Sequence, residues 1–143
     1  MKKVLLAVDG SEHSWKAAEV VCKLGQVIPL DLTVMHVVHD LSVYRPYGLG
    51  SSHERELDDV TRKRAEHVME RARRLLAPCT SCRVDYVVTS GEPADTLIEA
   101  ADTGEYDTIV MGSRGMGRMA KLLVGSVSNK VVTHAPCSVL VIR

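Results

Sequence analysis

The sequence predicts an α/β domain built on an open, doubly wound, five-stranded parallel sheet with helices on both faces, a Rossmann-like architecture. Short apolar runs alternate with segments of helical periodicity along the whole chain. The runs are apolar at consecutive positions, which is typical of strands covered on both faces. Glycines also cluster directly after the fourth run, on the rim where doubly wound folds bind ligands.

The predicted strands are rich in β-branched residues. They are Lys3–Val8, Leu32–Val38, Val84–Thr89, Thr108–Met111 and Ser138–Ile142. In this topology the last run lies at a sheet edge, where an apolar strand invites pairing with another chain.

Helix start and stop signals lie between the runs. Ser11 is a suitable N-cap for a first helix that Gly25 ends, and Pro93 suits the first position of the third helix. The last helix is expected from Ser126 to His134.

A longer helix is expected in the middle of the chain. Ser51 and Glu54 form a capping-box pattern before it, and Pro78 follows its end. Its buried stripe is predicted to comprise Leu57, Val60, Ala65, Val68, Ala72 and Leu75.

Length and charge limit the function. The 143 residues suit one domain, residues 1–143, and Lys+Arg and Asp+Glu are equal at 18 each. This balance argues against nucleic acid as a partner, and no apolar stretch approaches the roughly 20 residues that span a bilayer, so no membrane partner is expected. Four cysteines without an export signal predict a cytoplasmic protein with free thiols.

The glycine-rich stretch predicts a phosphate-binding site. Gly112 and Gly115 follow a predicted strand, and Gly125 with Ser126 begins a helix whose first amides lack backbone partners. Arg114 adds positive charge, and Ser128 adds a hydroxyl. The alternative is a glycine-rich turn with a serine N-cap and no ligand. Neither a P-loop motif nor a G-x-G-x-x-G motif is present.

Several motifs in order resemble the ATP-binding branch of the universal stress proteins, and the resemblance covers the whole chain. The glycine pattern is Gly112-x2-Gly115-x9-Gly125-Ser126. The other matching segments are Val4–Ser11, Leu32–Val37, Gly91–Pro93, Tyr106–Ser113 and Ala135–Val141.

The resemblance implies an ATP site, with Mg or Mn as the accompanying ion. Asp9 matches the acidic residue near the ribose or phosphates and is the one candidate metal ligand, whereas the backbone of Val37 matches the position that recognises adenine. The positions along the ribose and phosphates are Met111, Gly112, Arg114 and Gly115, and the second half of the phosphate clasp is Gly125, Ser126, Val127 and Ser128. The structural alternatives are that Asp9 caps the next helix and that Val37 is a core residue.

The expected function is an ATP-binding stress-response protein that acts as a nucleotide-dependent switch or adaptor, with adenine nucleotide and protein partners. No catalytic residue is assigned, because no general base or arginine finger is recognised, and hydrolysis should be slow at most. Two alternatives are a nucleotide-free homodimeric adaptor and a genuine slow ATPase. The resemblance also implies a homodimer joined through Ser138–Ile142.

Weaker candidates remain outside this assignment. Cys79 and Cys82 have redox or zinc spacing, but a chance loop pair is the favoured interpretation. His36 and His39 are candidates for a metal, with His36 more simply a satisfied buried histidine. His13 and Ser14 lack a third catalytic member.

One long connector, Asp40 to His53, also lies on the ligand side of the predicted sheet. Such a loop is typical of either a mobile cover over a ligand or plain disorder.

Overall fold

The computed structural model describes residues 2–39, 51–115 and 125–143, with the backbone alone at 51–55. The elements alternate strictly between strand and helix. They are β1 (Lys2–Ala7), α1 (Glu12–Gly25), β2 (Leu30–Val38), α2 (Ser51–Leu76), β3 (Cys82–Ser90), α3 (Pro93–Thr103), β4 (Thr108–Gly112), α4 (Ser126–His134) and β5 (Ser138–Ile142).

The five strands form one parallel sheet in the order β3-β2-β1-β4-β5. The chain winds outward from β1 to β3, returns to the centre, and winds the other way from β4 to β5. This confirms the predicted doubly wound fold and the predicted edge position of the last strand. The winding reverses between β1 and β4, so the carboxyl ends of these two strands flank the expected ligand crevice.

Both faces of the sheet are covered by helices. Leu6 lies in the cluster that α1 and α2 form on one face, and Leu5 lies in the cluster of α3 and α4 on the other. Both leucines have 0% exposure. The central strand is therefore buried on two sides, which explains why its sequence is apolar at consecutive positions.

The start of α2 differs from the prediction. Ala65, Val68 and Ala72 are buried as expected, but Leu57 and Val60 are 42% and 64% exposed. This part of α2 is not covered by the core, and Val60 borders the cavity described below. Residues 51–53, which were expected to end the long connector, belong to α2. The rest of that connector, and with it the predicted cover, lies outside the described residues. The predicted capping box of Ser51 and Glu54 depends on side chains that also lie outside the described part of the chain.

The expectation of four free thiols is wrong for one pair. Cys79 and Cys82 form a disulfide in the turn from α2 to β3, with their Cα atoms 5.5 Å apart. Cys22 and Cys137 are free, and burial raises the pKa of the Cys137 thiol, which keeps that group protonated at neutral pH.

No helix among residues 2–39, 51–115 and 125–143 is both long and apolar enough to cross a membrane. The cytoplasmic location and the single-domain assignment stay predictions.

Leu6→Ala should lower the free energy of unfolding by about 2–5 kcal/mol, because it leaves a cavity beside the central strand. Leu57→Ala should change it by less than about 0.5 kcal/mol, since Leu57 is exposed. Urea unfolding followed by circular dichroism measures both. Equal losses in the two variants would contradict the difference in burial between Leu6 on β1 and Leu57 on α2.

Candidate functional site

A cavity of about 620 Å³ opens at the carboxyl edge of the sheet, at the point where the winding reverses. Its volume is in the usual range for small-molecule sites. The lining includes every residue that the sequence assigned to a ligand: Asp9, Val37, Met111, Gly112, Arg114, Gly115, Gly125, Ser126, Val127 and Ser128.

The end of β1 is fixed by a short hydrogen-bonded turn. An oxygen of Asp9 accepts the Ser11 N–H at 2.9 Å, and Gly10 between them has a φ of +89°, which favours glycine. Ser11 is the N-cap of α1, since its hydroxyl oxygen accepts the Ser14 N–H. Asp9 therefore supports the turn before the helix, and the capping role belongs to Ser11.

Ser113, directly after β4, joins several parts of the fold. Its N–H donates to the carbonyl oxygen of Ile142 at 2.7 Å. Its own carbonyl oxygen accepts two hydrogen bonds, from the Gly125 N–H at 2.7 Å and from the Ser128 hydroxyl at 2.9 Å. Its own hydroxyl is hydrogen-bonded to Nδ1 of His13 at 2.7 Å. Ser113 is only 1% exposed, so these bonds satisfy a fully buried polar residue.

His13 thus contacts Ser113 and not Ser14, whose hydroxyl donates to the carbonyl oxygen of Ser11. The tentative pairing of His13 with Ser14 in the sequence has no counterpart in the structure. Sequence inspection did not single out Ser113 as a site residue, although its position between Gly112 and Arg114 in the glycine motif was a usable signal.

The N-terminus of α4 lines the cavity and carries main-chain donors that have no partner within the helix. Gly125 is the N-cap and has no side chain to cap the helix, and the Ser128 hydroxyl lies against the Gly125 and Ser113 carbonyl oxygens. The N–H groups of Ser126, Val127 and Ser128 therefore have no partner within the helix. The helix dipole adds partial positive charge, so this end suits an anion.

Gly112 at the end of β4 and Gly115 three residues later lie where a side chain would meet neighbouring parts of the chain. A Cβ at Gly112 would lie 2.7 Å from the backbone carbon of His13 and 2.8 Å from the Ser14 nitrogen. A Cβ at Gly115 would lie 2.7 Å from a carboxylate oxygen of Asp9. Gly112 therefore allows α1 to approach β4, and it lines the cavity as well.

The backbone of Val37 is available at the other end of the cavity. Pairing of β1 with β2 ends at Ala7 and Met35, and the Met35 carbonyl oxygen accepts the N–H of Val8. Main-chain groups two residues apart point to the same side of a strand, so those of Val37 face the crevice beyond this last pair. The half-buried side chain of Val37 packs against the core, as the structural alternative for this residue expects, and its role towards adenine stays a prediction.

Apolar side chains form the walls beside Val37. They come from Ala7, Met35, Pro93, Leu97 and Met111. His36 also lines the cavity, and its Nδ1–H donates to the carbonyl oxygen of Val8 at 2.8 Å, which makes it the satisfied buried histidine that the sequence favoured. Such a wall suits a flat, largely apolar group with a few polar edges.

The described charged side chains that line the cavity are Asp9, Arg64 and Arg114. With neutral histidines they carry a net positive charge, which matches the polarity of the α4 terminus. Thr61 and Arg64 come from α2. The sequence did not identify them as site residues, because they belong to no recognised binding motif. Within the described part of the chain, no group of three His, Cys, Asp or Glu residues could hold a metal.

A doubly wound sheet with a cationic ligand cavity at its switch point defines a class of α/β ligand-binding domains. The model of the universal stress protein family matches residues 1–143, and the chain belongs to that family.

Relatives match over nearly the full chain. A universal stress protein of Thermus aquaticus is 37% identical over 142 residues, which is 99% of this chain and 98% of the relative. The UspA protein of Lactobacillus plantarum has a TM-score of 0.84 at 27% identity, covering 99% of this chain and 97% of that structure. The hypothetical protein MJ0577 has a TM-score of 0.82 at 25% identity, covering 99% and 94%.

Other solved structures of the same fold contain adenine nucleotides. A universal stress family protein of Arabidopsis thaliana has AMP bound, with a TM-score of 0.71, 19% identity and coverage of 99% and 91%. Another universal stress protein is in complex with cAMP, and the one from Archaeoglobus fulgidus is in complex with dAMP. Below 25% identity, these likenesses show the shared fold.

Gly112→Ala should destabilise the domain by about 1–3 kcal/mol, because its Cβ would meet the α1 backbone, which cannot shift without repacking. Gly115→Ala should cost clearly less, since the carboxylate of Asp9 can rotate away. Thermal unfolding of both ligand-free variants measures the difference. A Gly112→Ala variant as stable as the parent would contradict the packing role.

Proposed function

We propose that this protein binds ATP in the carboxyl-edge cavity and acts in the stress response as a nucleotide-dependent switch or adaptor. One observation carries the proposal: residues chosen from the sequence for a nucleotide, scattered from Asp9 to Ser128, all line a single cavity. The nucleotides bound by proteins of the same fold support the choice of an adenine ligand.

The phosphates fit the end of the cavity next to α4. Three main-chain N–H groups and the helix dipole face this end, and Arg114 lines the same cavity. Nε of Arg114 is buried and has no hydrogen-bond partner among the described residues. A phosphate oxygen would supply that partner, because guanidinium groups bind phosphate through several N–H donors.

Adenine fits the opposite end, where apolar side chains border the exposed main chain of Val37. A backbone N–H and C=O can pair with the polar edge of the base while Met35 and Leu97 contact its faces. Asp9, at the end of β1, lies between the two ends of the cavity and suits the ribose or the inner phosphates.

Mg or Mn would be held mainly by the nucleotide. Asp9 is a single carboxylate, and one of its oxygens already accepts the N–H of Ser11. Mg²⁺ usually combines one or two carboxylates with phosphate oxygens and waters, so Asp9 fits as a ligand only with nucleotide present.

A switch requires that nucleotide bind two states of the protein with different affinity, and fast hydrolysis is unnecessary. Two arginines and the α4 amides can hold a triphosphate without cleaving it, and the sequence contains no recognised general base or arginine finger, which favours slow hydrolysis at most. Phosphate release from Mg-ATP distinguishes the switch from a genuine slow ATPase.

Arg114→Gln should weaken Mg-ATP binding about tenfold or more and leave adenosine binding nearly unchanged, because the lost guanidinium faces the phosphates. Isothermal titration calorimetry measures both ligands. Arg74→Gln is the matched control, since Arg74 lies near the far end of α2 and pairs with Glu70.

Mass spectrometry of gently purified protein provides a second test: absence of both bound nucleotide and ATP titration heat would favour the nucleotide-free adaptor.

We also propose that two copies join through β5. This strand lies at the sheet edge and Leu140 on it is 37% exposed. An open apolar edge favours pairing with a second chain, whereas charged residues discourage it.

Leu140→Lys should shift the protein from dimer to monomer at micromolar concentration, because it places a charge on the edge strand. Sedimentation velocity measures the oligomeric state, and Leu57→Lys on α2 is the control for added surface charge. A monomeric parent protein would overturn the dimer proposal.

A further inference from the structure

Helix α2 contributes a wall of the cavity that the glycine motif does not account for. Val60, Thr61 and Arg64 lie close together on one side of this helix and line the same cavity as Asp9 and Arg114. Val60 is 64% exposed and Arg64 is also exposed, so neither is placed there by core packing.

A contact of Val68, further along α2, fixes the position of the Arg64 backbone. A methyl group of Val68 is 3.2 Å from the place where a Cβ of Gly10 would stand, so Val68 packs directly on the turn after β1. Arg64 is four residues earlier, about one turn or 6 Å along the axis. Because α2 runs towards the start of β3, this turn lies on the side of the carboxyl edge, above Asp9 and Gly10.

The same part of α2 is firmly anchored. Val68, Met69 and Ala72 are almost fully buried in the core that α2 shares with α1, and the guanidinium of Arg71 lies 4.7 Å from the ring centroid of Trp15. The backbone that carries Arg64 is therefore held in place, and only its flexible side chain has to move to reach a ligand.

The chain segments that carry Arg64 and Arg114 consequently lie on either side of the end of β1. Asp9 contacts Gly115, next to Arg114, on one side, and Gly10 contacts Val68 of α2 on the other. We infer that Arg64 is a second phosphate-binding cation, which reaches the triphosphate from α2 while Arg114 and the α4 amides hold it from the β4 side. This inference rests on the proposed function.

A neighbouring arginine on α2 provides a contrast. Arg62 donates to Glu66 at 3.0 Å and to Asp59 at 3.4 Å, and these hydrogen bonds and charges, with Asp59 first, raise the pKa of Arg62. Its guanidinium is held by acidic groups of the helix surface, and it does not line the ligand cavity. Arg62 is therefore a control of the same type, two residues away.

The test compares the parent protein with Arg64→Gln, Arg64→Lys and Arg62→Gln in calorimetric titrations of Mg-ATP and of adenosine. Arg64→Gln should weaken ATP binding by roughly three- to tenfold, because the site is open to solvent and screening reduces the interaction. Adenosine binding should not change. Arg64→Lys should recover part of the loss, and Arg62→Gln should match the parent for both ligands.

Three other outcomes would overturn the inference, either alone or together with the proposed function. Unchanged ATP affinity in Arg64→Gln, with the parent binding ATP, overturns the inference and leaves the proposed function intact. An equal loss for ATP and adenosine also overturns it, because the side chain would then act on the base or on the fold. No binding of ATP by the parent protein removes the proposed function and the inference with it.

Discussion

The site depends on the hydrogen bonds of Ser113. This residue is buried at the end of β4, and its main-chain and side-chain groups join α1, β5 and the start of α4. A buried polar group is stable only when it is fully bonded, since an unsatisfied one costs about 1–3 kcal/mol. The bonds therefore hold these three elements in one arrangement, and the free amides of α4 face the cavity as a result.

Close packing of backbones supports the same arrangement. Glycine at position 112 lets α1 approach β4, and glycine at position 10 lets Val68 of α2 approach the end of β1. The Ser11 hydroxyl also donates to the Arg114 carbonyl oxygen at 3.1 Å, which ties the β1 and β4 turns together. The cavity is thus built on close contacts to the main chain at the ends of β1 and β4, and these contacts position the residues that line it.

Much of the fold was predictable because each strand has a local signature. Apolar runs at consecutive positions identified all five strands, although β3 begins at Cys82, earlier than its apolar residues suggest. The error at Leu57 and Val60 has a physical cause: periodicity reports which residues share a face of a helix, but not whether that face meets the core, a cavity or solvent.

Most of the candidate site was also predictable, because the glycine motif and Asp9 lie next to strand ends that the topology brings together. The position of Arg64 in the cavity lining and the hydrogen bonds of Ser113 could not be predicted from the sequence. Arg64 reaches the cavity from a long helix with no motif, and His13 meets Ser113 across 100 residues of sequence. Such contacts depend on the three-dimensional placement of distant segments, which no local pattern records. The same holds for the disulfide of Cys79 and Cys82, because spacing alone does not distinguish bonded from free thiols.

The central position of β1 has a consequence for protein synthesis. Its neighbour β4 leaves the ribosome about a hundred residues later, and the α4 amides follow later still. A nascent chain can pair its first three strands before the α4 half of the crevice has been made. Because a ligand that binds only the native state stabilises that state by mass action, a nucleotide bound in this crevice would stabilise chains that have folded through α4 over shorter ones.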